Sequence, residues 1–149
     1  MRNKSEKIMI ILLILGIIIS IYLTYLHYVP EKLNSSFCNP TDYLSCSTVN
    51  KSSYSTLFGI PVALIGIIGM LTILGLLLIR PKNYGLYIFV LITGALLFMI
   101  YLTSAELFII KAICIFCITV ALIVLTLFII SIKEYGNKFI KFIKEIQIE

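Results

Sequence analysis

The longest apolar stretch of the chain runs from Leu86 to Ile132 and contains only two charged residues, Glu106 and Lys111. As one helix it would be about 70 Å long at 1.5 Å per residue, against a hydrocarbon core of roughly 30 Å in a bilayer. It must therefore fold back, and the two charged residues place the reversal near Ile109–Ala112, at the water interface. The stretch predicts two consecutive membrane spans.

Two further apolar runs precede this stretch and complete a four-span pattern. The first follows Arg2, Lys4 and Lys7 without a small-residue cleavage site after it, so we expect a retained helix rather than a signal peptide. Hydrophobic residues make up 60% of the chain and charged residues 13%, which is typical of an integral membrane protein. The predicted spans are residues 8–28, 57–79, 84–108 and 112–132. The predicted fold is an all-α, integral membrane four-helix bundle that forms one domain, residues 1–132.

Most of the positive charge lies in three places: the N-terminus, the Arg80–Lys82 turn and the segment 133–149. Four spans bring these places to one side of the membrane, which the positive-inside rule makes cytoplasmic. In residues 133–149, apolar and basic residues recur at spacings of three and four, which predicts a basic amphipathic cytoplasmic tail on the membrane surface. We expect a multi-pass protein of the cell membrane with both termini cytoplasmic. Because orientation explains the net charge of +5, no nucleic-acid partner is expected.

The polar segment 29–55 lies between the first two spans and therefore on the extracytoplasmic side. Its backbone cannot face lipid and its length suits a functional segment, so we expect a loop that caps the bundle, with a short helix near Leu44–Val49. His27 ends the first span beside it and is interpreted as an interfacial residue or as a proton acceptor. Cys38 and Cys46 lie in this loop.

The motif Cys114-Ile115-Phe116-Cys117 opens the fourth span and meets the loop cysteines at the outer end of the bundle. Residues three apart share one helix face, within the roughly 4.4–6.8 Å between Cα atoms that a disulfide requires. The first turn of a helix also favours the thiolate, which is the form that attacks disulfides. Two such pairs can pass two electrons at a time through mixed disulfides to a lipid-soluble acceptor, a description that fits a quinone.

Other interpretations of the four cysteines stay open on these residues alone. The cysteines could form structural disulfides, pack as small apolar residues or bind zinc. Zinc fits less well because seven residues separate Cys38 from Cys46, whereas zinc-binding pairs usually have two to four between them. A transporter is not expected, since no span has an ionisable residue in its middle and Glu106 and Lys111 lie near an end.

In the order of its motifs the chain resembles the vitamin K epoxide reductase family. The residues that carry the resemblance are Cys38, Cys46-Ser47, Ser52, Phe58-Gly59-Ile60-Pro61 and Cys114-Ile115-Phe116-Cys117-Ile118-Thr119. The resemblance covers about residues 8–132 and looks like the microbial branch without a fused thioredoxin domain. Members of that branch reoxidise a thioredoxin-like thiol oxidase with membrane quinone. The resemblance therefore implies a soluble, extracytoplasmic thioredoxin-like partner acting in trans.

The resemblance implies a catalytic role for each cysteine. Cys117 would lie next to the quinone and form the adduct with it, while Cys114 would resolve that adduct and exchange with Cys46. Cys38 would form the mixed disulfide with the partner. The implied cofactor-binding residues are Cys117, Ser52, Ser55 and Phe58, and the implied electron acceptor is a quinone of the menaquinone or ubiquinone type.

Two positions differ from family members that act on vitamin K. Ser55 stands where those members have an asparagine, and Ala121 stands where they have a tyrosine; both side chains are associated with holding the quinone carbonyls. We therefore expect a quinone-dependent thiol-disulfide oxidoreductase that supports disulfide bond formation. One alternative is a quinone or vitamin K epoxide reductase, in which the same reaction is used in the reverse direction. The other is a non-enzymatic membrane protein with structural disulfides.

Overall fold

A computed structural model describes residues 3–29 and 39–148 of the chain. The described residues form five α-helices: α1 (Lys4–Tyr28), α2 (Cys46–Lys51), α3 (Val62–Ile79), α4 (Tyr84–Ala105) and α5 (Ile115–Ile148). A 3-10 turn at Ser53–Ser55 and a hairpin of strands β1 (Thr56–Leu57) and β2 (Ile60–Pro61) connect α2 to α3. Four helices, α1, α3, α4 and α5, are long and apolar enough to cross a membrane. The prediction of an all-α membrane bundle with four such helices is confirmed.

The four long helices alternate in direction and bury a shared apolar core. All four contribute to it; its members include Met9, Leu13, Ile73, Leu77, Ile88 and Leu127. The outward faces of the same helices are also apolar, as expected of helices whose surroundings are lipid rather than water. The core holds the helices together over most of their length and leaves polar residues to the two ends.

One end of the bundle, called the basic end below, is organised around the buried carboxylate of Glu6. Arg80, in the α3–α4 turn, forms an ion pair with it, and the hydroxyls of Tyr84 and Tyr135 donate hydrogen bonds to it at 3.1 and 3.4 Å. Tyr135 packs on Gly85 so closely that an added Cβ would lie 2.6 Å from the tyrosine ring. These contacts therefore join three parts of the chain: the start of α1, the α3–α4 turn and the later part of α5.

The segment expected as a separate tail from residue 133 is continuous with the fourth spanning helix. Helix α5 runs without interruption over 34 residues, from Ile115 to Ile148. It continues past the predicted end of the span because its next turns pack on α4: Tyr135 is buried, and the ring centroid of Phe139 lies 4.8 Å from that of Phe89. The first part of the predicted tail therefore continues the fourth spanning helix and packs on the bundle.

Helix α3 begins at Val62 rather than near Leu57, because the residues before it form the hairpin. Thr56 pairs with Pro61 and Leu57 with Ile60. The two residues of the turn, Phe58 and Gly59, have φ values of +53° and +81°. Positive φ at both central residues is what the type I′ turn of a tight hairpin requires. Pro61, which cannot donate a backbone hydrogen bond, then precedes the first residue of α3.

The reversal between α4 and α5 lies where the sequence predicts it, at the end opposite the basic end. Helix α4 ends in a π-helical turn, Glu106–Ile110, and Lys111 adopts a left-handed conformation with φ of +55°. One expectation for this turn is wrong: Glu106 does not mark the water interface. Only 7% of Glu106 is exposed, and its side chain lies inside the bundle because it continues the face of α4 on which Met99 and Thr103 line a pocket.

Candidate active site

The segment before α2 is hydrogen-bonded to the residue just before Cys114. The end of the bundle at which these bonds lie is called the loop end below. The amide of Ile113 donates to the carbonyl of Tyr43 at 2.8 Å, and the amide of Ser45 donates to the carbonyl of Ile113 at 3.1 Å. These bonds form an isolated parallel bridge between Leu44 and Ile113. The bridge fixes the position of the loop segment relative to the motif that opens α5.

The short helix α2 follows this bridge directly and begins at Cys46. The Ser45 hydroxyl accepts a hydrogen bond from the amide of Thr48 at 3.2 Å, the usual contact of a helix N-cap. The side-chain carbonyl of Asn39 accepts from the Ser45 hydroxyl and from the amide of Ser47, both at 3.2 Å. A helix was expected near Leu44–Val49, and these cap contacts set its start at Cys46.

Cys46 and Cys114 are brought together in one buried cluster. Each is 1% exposed, and the cluster also contains Leu23, Val49 and Ala112. Cys46 is in a disulfide, whereas Cys114 and Cys117 are free thiols. Cys38, the other loop cysteine expected at the site, lies outside the described residues.

The Cys114 thiol lies at the start of α5, immediately outside the spanning part of the helix. A hydrogen bond donated by the Cys117 thiol is the largest influence on it and lowers the pKa of Cys114. Backbone amides of the first helical turn, those of Phe116 and Cys117, lower it further, while burial and the nearby Glu106 carboxylate act in the opposite direction. The net effect is a pKa of Cys114 below that of an ordinary cysteine, as expected for a thiol at a helix N-terminus.

Glu106 is a site residue that the sequence reasoning missed. Its carboxylate accepts a hydrogen bond from the amide of Cys114 at 3.5 Å, and it lines the same pocket as the Cys117 thiol. Both cysteines of the motif therefore lie beside this carboxylate. Two signals in the sequence could have found it: its helical spacing after Leu102 and Thr103, and its place shortly before Cys114 with only a reversal between them.

A pocket with an internal volume of about 90 Å³ lies between the helices at the loop end. Cys114 and Cys117 line it, and its walls are mostly apolar. The remaining polar residues in the walls are Ser20, Asn50, Ser52, Tyr54, Ser55, Thr103 and Glu106. Apolar walls with a few polar groups are typical of a site for a small, largely apolar molecule.

The family resemblance implied that Ser52, Ser55 and Phe58 bind the cofactor together with Cys117. The structure places the two serines in the pocket wall and Phe58 outside it. Ser52 and Ser55 line the pocket, but each hydroxyl donates to a backbone carbonyl, Ser52 to Val49 at 2.7 Å and Ser55 to Ser52 at 2.8 Å. Phe58 does not line the pocket; it is 97% exposed at the tip of the hairpin. The two serines therefore also shape the loop that forms the pocket wall.

His27 connects the first span to the loop rather than to the pocket. Its Nδ1 lies 3.2 Å from the carbonyl oxygen of Asn50, and the Asn50 side chain donates to the carbonyl of Leu23 at 3.3 Å. Since a carbonyl can only accept, Nδ1 of His27 carries the proton in this contact. His27 is not among the residues that line the pocket.

Residues 7–132 match the model of the Vitamin K epoxide reductase family. The chain belongs to this family. No match to an individual curated protein accompanies the family match. Membership identifies a multi-pass membrane protein with thiol oxidoreductase activity, as the motif order predicts. Among the described residues of this family member, no group of three or more His, Cys, Asp or Glu side chains is arranged to hold a metal ion.

Proposed function

We propose that this family member oxidises the dithiol of a soluble, extracytoplasmic thioredoxin-like partner and passes the electrons to a membrane quinone, in support of disulfide bond formation. The observation that carries the proposal is the burial of Cys46 and Cys114 in one cluster, beside the pocket that Cys114 and Cys117 line. A disulfide and a dithiol that meet in this way can exchange without a long-range movement of the chain.

The electrons pass along two cysteine pairs. The partner's dithiol reduces the loop pair, Cys38 and Cys46, through a mixed disulfide at Cys38. The reduced loop pair then reduces the Cys114–Cys117 disulfide, with Cys46 and Cys114 as the exchanging sulfurs. Reoxidation of Cys114 and Cys117 delivers two electrons and two protons to the quinone and gives the quinol, so each disulfide made in the partner corresponds to one quinol.

The acidity of Cys114 supports its role as the exchanging sulfur of the inner pair. When the mixed disulfide between Cys46 and Cys114 is resolved by Cys38, the sulfur of Cys114 is the leaving group. Thiols of low pKa leave faster, and the pKa of Cys114 is lowered by the Cys117 thiol and the first-turn amides. The lowered pKa therefore favours the release of Cys114 from its mixed disulfide with Cys46. After this release both Cys114 and Cys117 are free thiols.

The pocket supports a quinone as the acceptor, because its apolar walls suit the ring and its polar residues suit the carbonyl oxygens, which accept hydrogen bonds. The hydroxyls of Ser52 and Ser55 already donate to backbone carbonyls. The amide of Asn50, which has a second N–H, and the phenol of Tyr54 are better placed to donate to a quinone. We infer that these two residues hold the quinone head group in this chain, which has Ser55 and Ala121 where vitamin K-using members have the asparagine and tyrosine.

The orientation rests on the distribution of positive charge. The segments at the basic end contain most of the lysine and arginine side chains, whereas Lys51 and Lys111 lie at the loop end. The positive-inside rule makes the basic end cytoplasmic and the loop end extracytoplasmic. In this orientation the four cysteines face the compartment where disulfides form.

The proposal is tested with purified protein, a reduced thioredoxin-fold dithiol protein and either ubiquinone or menaquinone. Quinol formation at one equivalent per partner disulfide is the expected result, with none in Cys117→Ala. Stable disulfides that do not change when quinone is withdrawn would overturn the proposal and favour a structural role. Reduction of vitamin K epoxide by an added dithiol, without quinone-dependent oxidation of the partner, would favour the reverse reaction.

A further inference from the structure

Glu106 is a buried carboxylate without a cationic partner. Among the described residues, the side-chain ion pair is the one between Arg80 and Glu6 at the basic end, far from Glu106. Burying a carboxylate is costly unless hydrogen bonds satisfy it. The groups that face Glu106 are the amide of Cys114 and the thiol of Cys117. Glu106 is thus buried at this cost beside Cys117, a thiol whose proton a carboxylate can accept.

Among the described residues that line the pocket, Glu106 is the only carboxylate and, apart from the two cysteines themselves, the group best suited to take a proton from a thiol. In the part of the chain that the structure describes, the titratable residues lining the pocket are Glu106, Cys114, Cys117 and Tyr54. Histidine, lysine and arginine are not among the lining residues, and His27 contacts Asn50 instead. Glu106 is therefore the base available to the cysteines within these described walls.

We propose that Glu106 is a catalytic base of the quinone-reducing half-reaction: its carboxylate accepts the proton of the Cys117 thiol while the Cys114–Cys117 disulfide forms, and returns that proton to the reduced quinone. The inference rests on the proposed function. As the S–S bond forms, both S–H bonds break and two electrons pass to the quinone. Glu106 carries the proton of Cys117 to one quinone oxygen; the proton of Cys114 leaves to water, and water supplies one to the other oxygen.

A base can be distinguished from a carboxylate that acts only through its charge. A negative charge near a thiolate disfavours it, so the Glu106 charge raises the pKa of Cys114. Glu106→Gln removes that charge while keeping the side-chain size and an oxygen that can accept from the Cys114 amide. If Glu106 acted only through its charge, quinol formation would be unchanged or faster in this variant. If Glu106 is the base, quinol formation falls although the thiols are no less reactive.

The experiment compares full-length wild type with Glu106→Gln and Glu106→Asp in lipid nanodiscs, using the reduced partner and ubiquinone. We expect Glu106→Gln to lower the turnover number about 10²–10³-fold, the usual loss on removing a positioned base. The rate of Glu106→Gln should continue to rise with pH, since hydroxide replaces the lost base. Alkylation of reduced Cys114, followed by mass spectrometry, should be as fast as in wild type or faster. Glu145→Gln, the same change at an exposed position of α5, should leave all three measurements unaltered.

Each outcome decides a separate point. Turnover of Glu106→Gln within threefold of wild type, with the same pH profile, would overturn the role of Glu106 and leave the proposed function intact. Failure of wild type to reduce any quinone would overturn both. Glu106→Asp retains a proton acceptor that is one methylene shorter, so turnover between wild type and Glu106→Gln supports the base. Turnover of Glu106→Asp no higher than that of Glu106→Gln would argue for a purely structural side chain.

Discussion

The amide of Ile113 donates a 2.8 Å hydrogen bond to the carbonyl oxygen of Tyr43. This bond joins two segments that are distant in the sequence, one leading to Cys46 and the other to Cys114. Because it is made by the backbone, the position of Cys46 relative to Cys114 does not depend on side-chain identity at either bonded residue. The bond therefore holds Cys46 in the same buried cluster as Cys114.

The cap of α2 should matter for exchange between the cysteine pairs. Ser45→Ala removes the hydroxyl that accepts from Thr48 and donates to Asn39, and such caps are worth about 0.5–2 kcal/mol. We expect α2 to fray at Cys46 and the transfer of electrons from the loop pair to Cys114 to slow several-fold. Stopped-flow measurement of a single turnover checks this. Ser53→Ala, at an exposed position of the 3-10 turn, is the control and should behave as wild type.

The lowered pKa of Cys114 makes its reactivity depend on Cys117. At a given pH, a thiol with a lowered pKa is more ionised than an ordinary cysteine, and it loses its thiolate as the pH falls through that pKa. Cys117→Ala removes the hydrogen bond that lowers the pKa most, so the pKa should rise and alkylation of Cys114 at neutral pH should slow, roughly threefold for each unit of the rise, because a thiolate of higher pKa is also more nucleophilic. Cys117→Ser retains a donor and should slow it less. Equal rates in both variants across the pH range would contradict the role of the hydrogen bond.

Tyr54 should contribute to quinone affinity without affecting the partner. Tyr54→Phe removes one donor from the pocket wall, and a hydrogen bond of about 0.5–1.5 kcal/mol corresponds to a rise of roughly 2- to 12-fold in the KM for quinone. The KM for the thioredoxin-like partner should not change. Tyr43→Phe, at an exposed residue outside the pocket, provides the matched control. An unchanged quinone KM in Tyr54→Phe would exclude Tyr54 from head-group binding.

The packing of Tyr135 on Gly85 should be intolerant of a methyl group. Gly85→Ala places a Cβ 2.6 Å from the ring, and the resulting overpacking should destabilise the protein by about 1–3 kcal/mol. Gly94→Ala, in the same helix but with open space around the added Cβ, should be neutral or stabilise the protein by up to about 1 kcal/mol. Thermal unfolding in detergent compares the two variants. A lower midpoint for Gly94→Ala than for Gly85→Ala would contradict the packing described here.

Breaking the ion pair at the basic end should leave a buried carboxylate only partly satisfied. In Arg80→Gln the hydroxyls of Tyr84 and Tyr135 still donate to Glu6, and Arg80 is itself partly exposed, so we expect a loss of about 1–3 kcal/mol rather than the full cost of an unpaired buried charge. Adding Glu6→Gln removes the charge and should restore part of the stability. Denaturation of the single and double variants measures this coupling. Purely additive effects would show that Glu6 and Arg80 do not interact.

The sequence predicted the spans and the folding back near Lys111 because lipid requires long uninterrupted apolar runs and leaves few alternatives. It also predicted that Cys46 and Cys114 lie at the same end of the bundle, since an even number of spans separates the segments that contain them. That these two cysteines in particular meet was implied by the family resemblance. The inward position of Glu106 agrees with helical periodicity, because it lies seven residues after Met99 and three after Thr103, which also line the pocket. It was missed because a charged residue near the end of a span was interpreted as an interfacial one. The pairing of Glu6 with Arg80 was not predictable, because it depends on how three elements pack at the basic end.

The length of α5 has a consequence for the membrane around the protein. From Cys117, at the pocket, to Tyr135, at the Glu6 cluster, the helix is about 27 Å long at 1.5 Å per residue. Both residues lie beside polar groups, so the distance between these polar groups is fixed by the helix. It can be compared with the hydrocarbon thickness of roughly 30 Å. A thicker bilayer must thin locally at one end or bury polar groups, and a thinner one must tilt the bundle. The depth of Cys117 below the lipid headgroups should therefore vary with the acyl-chain length of the host membrane.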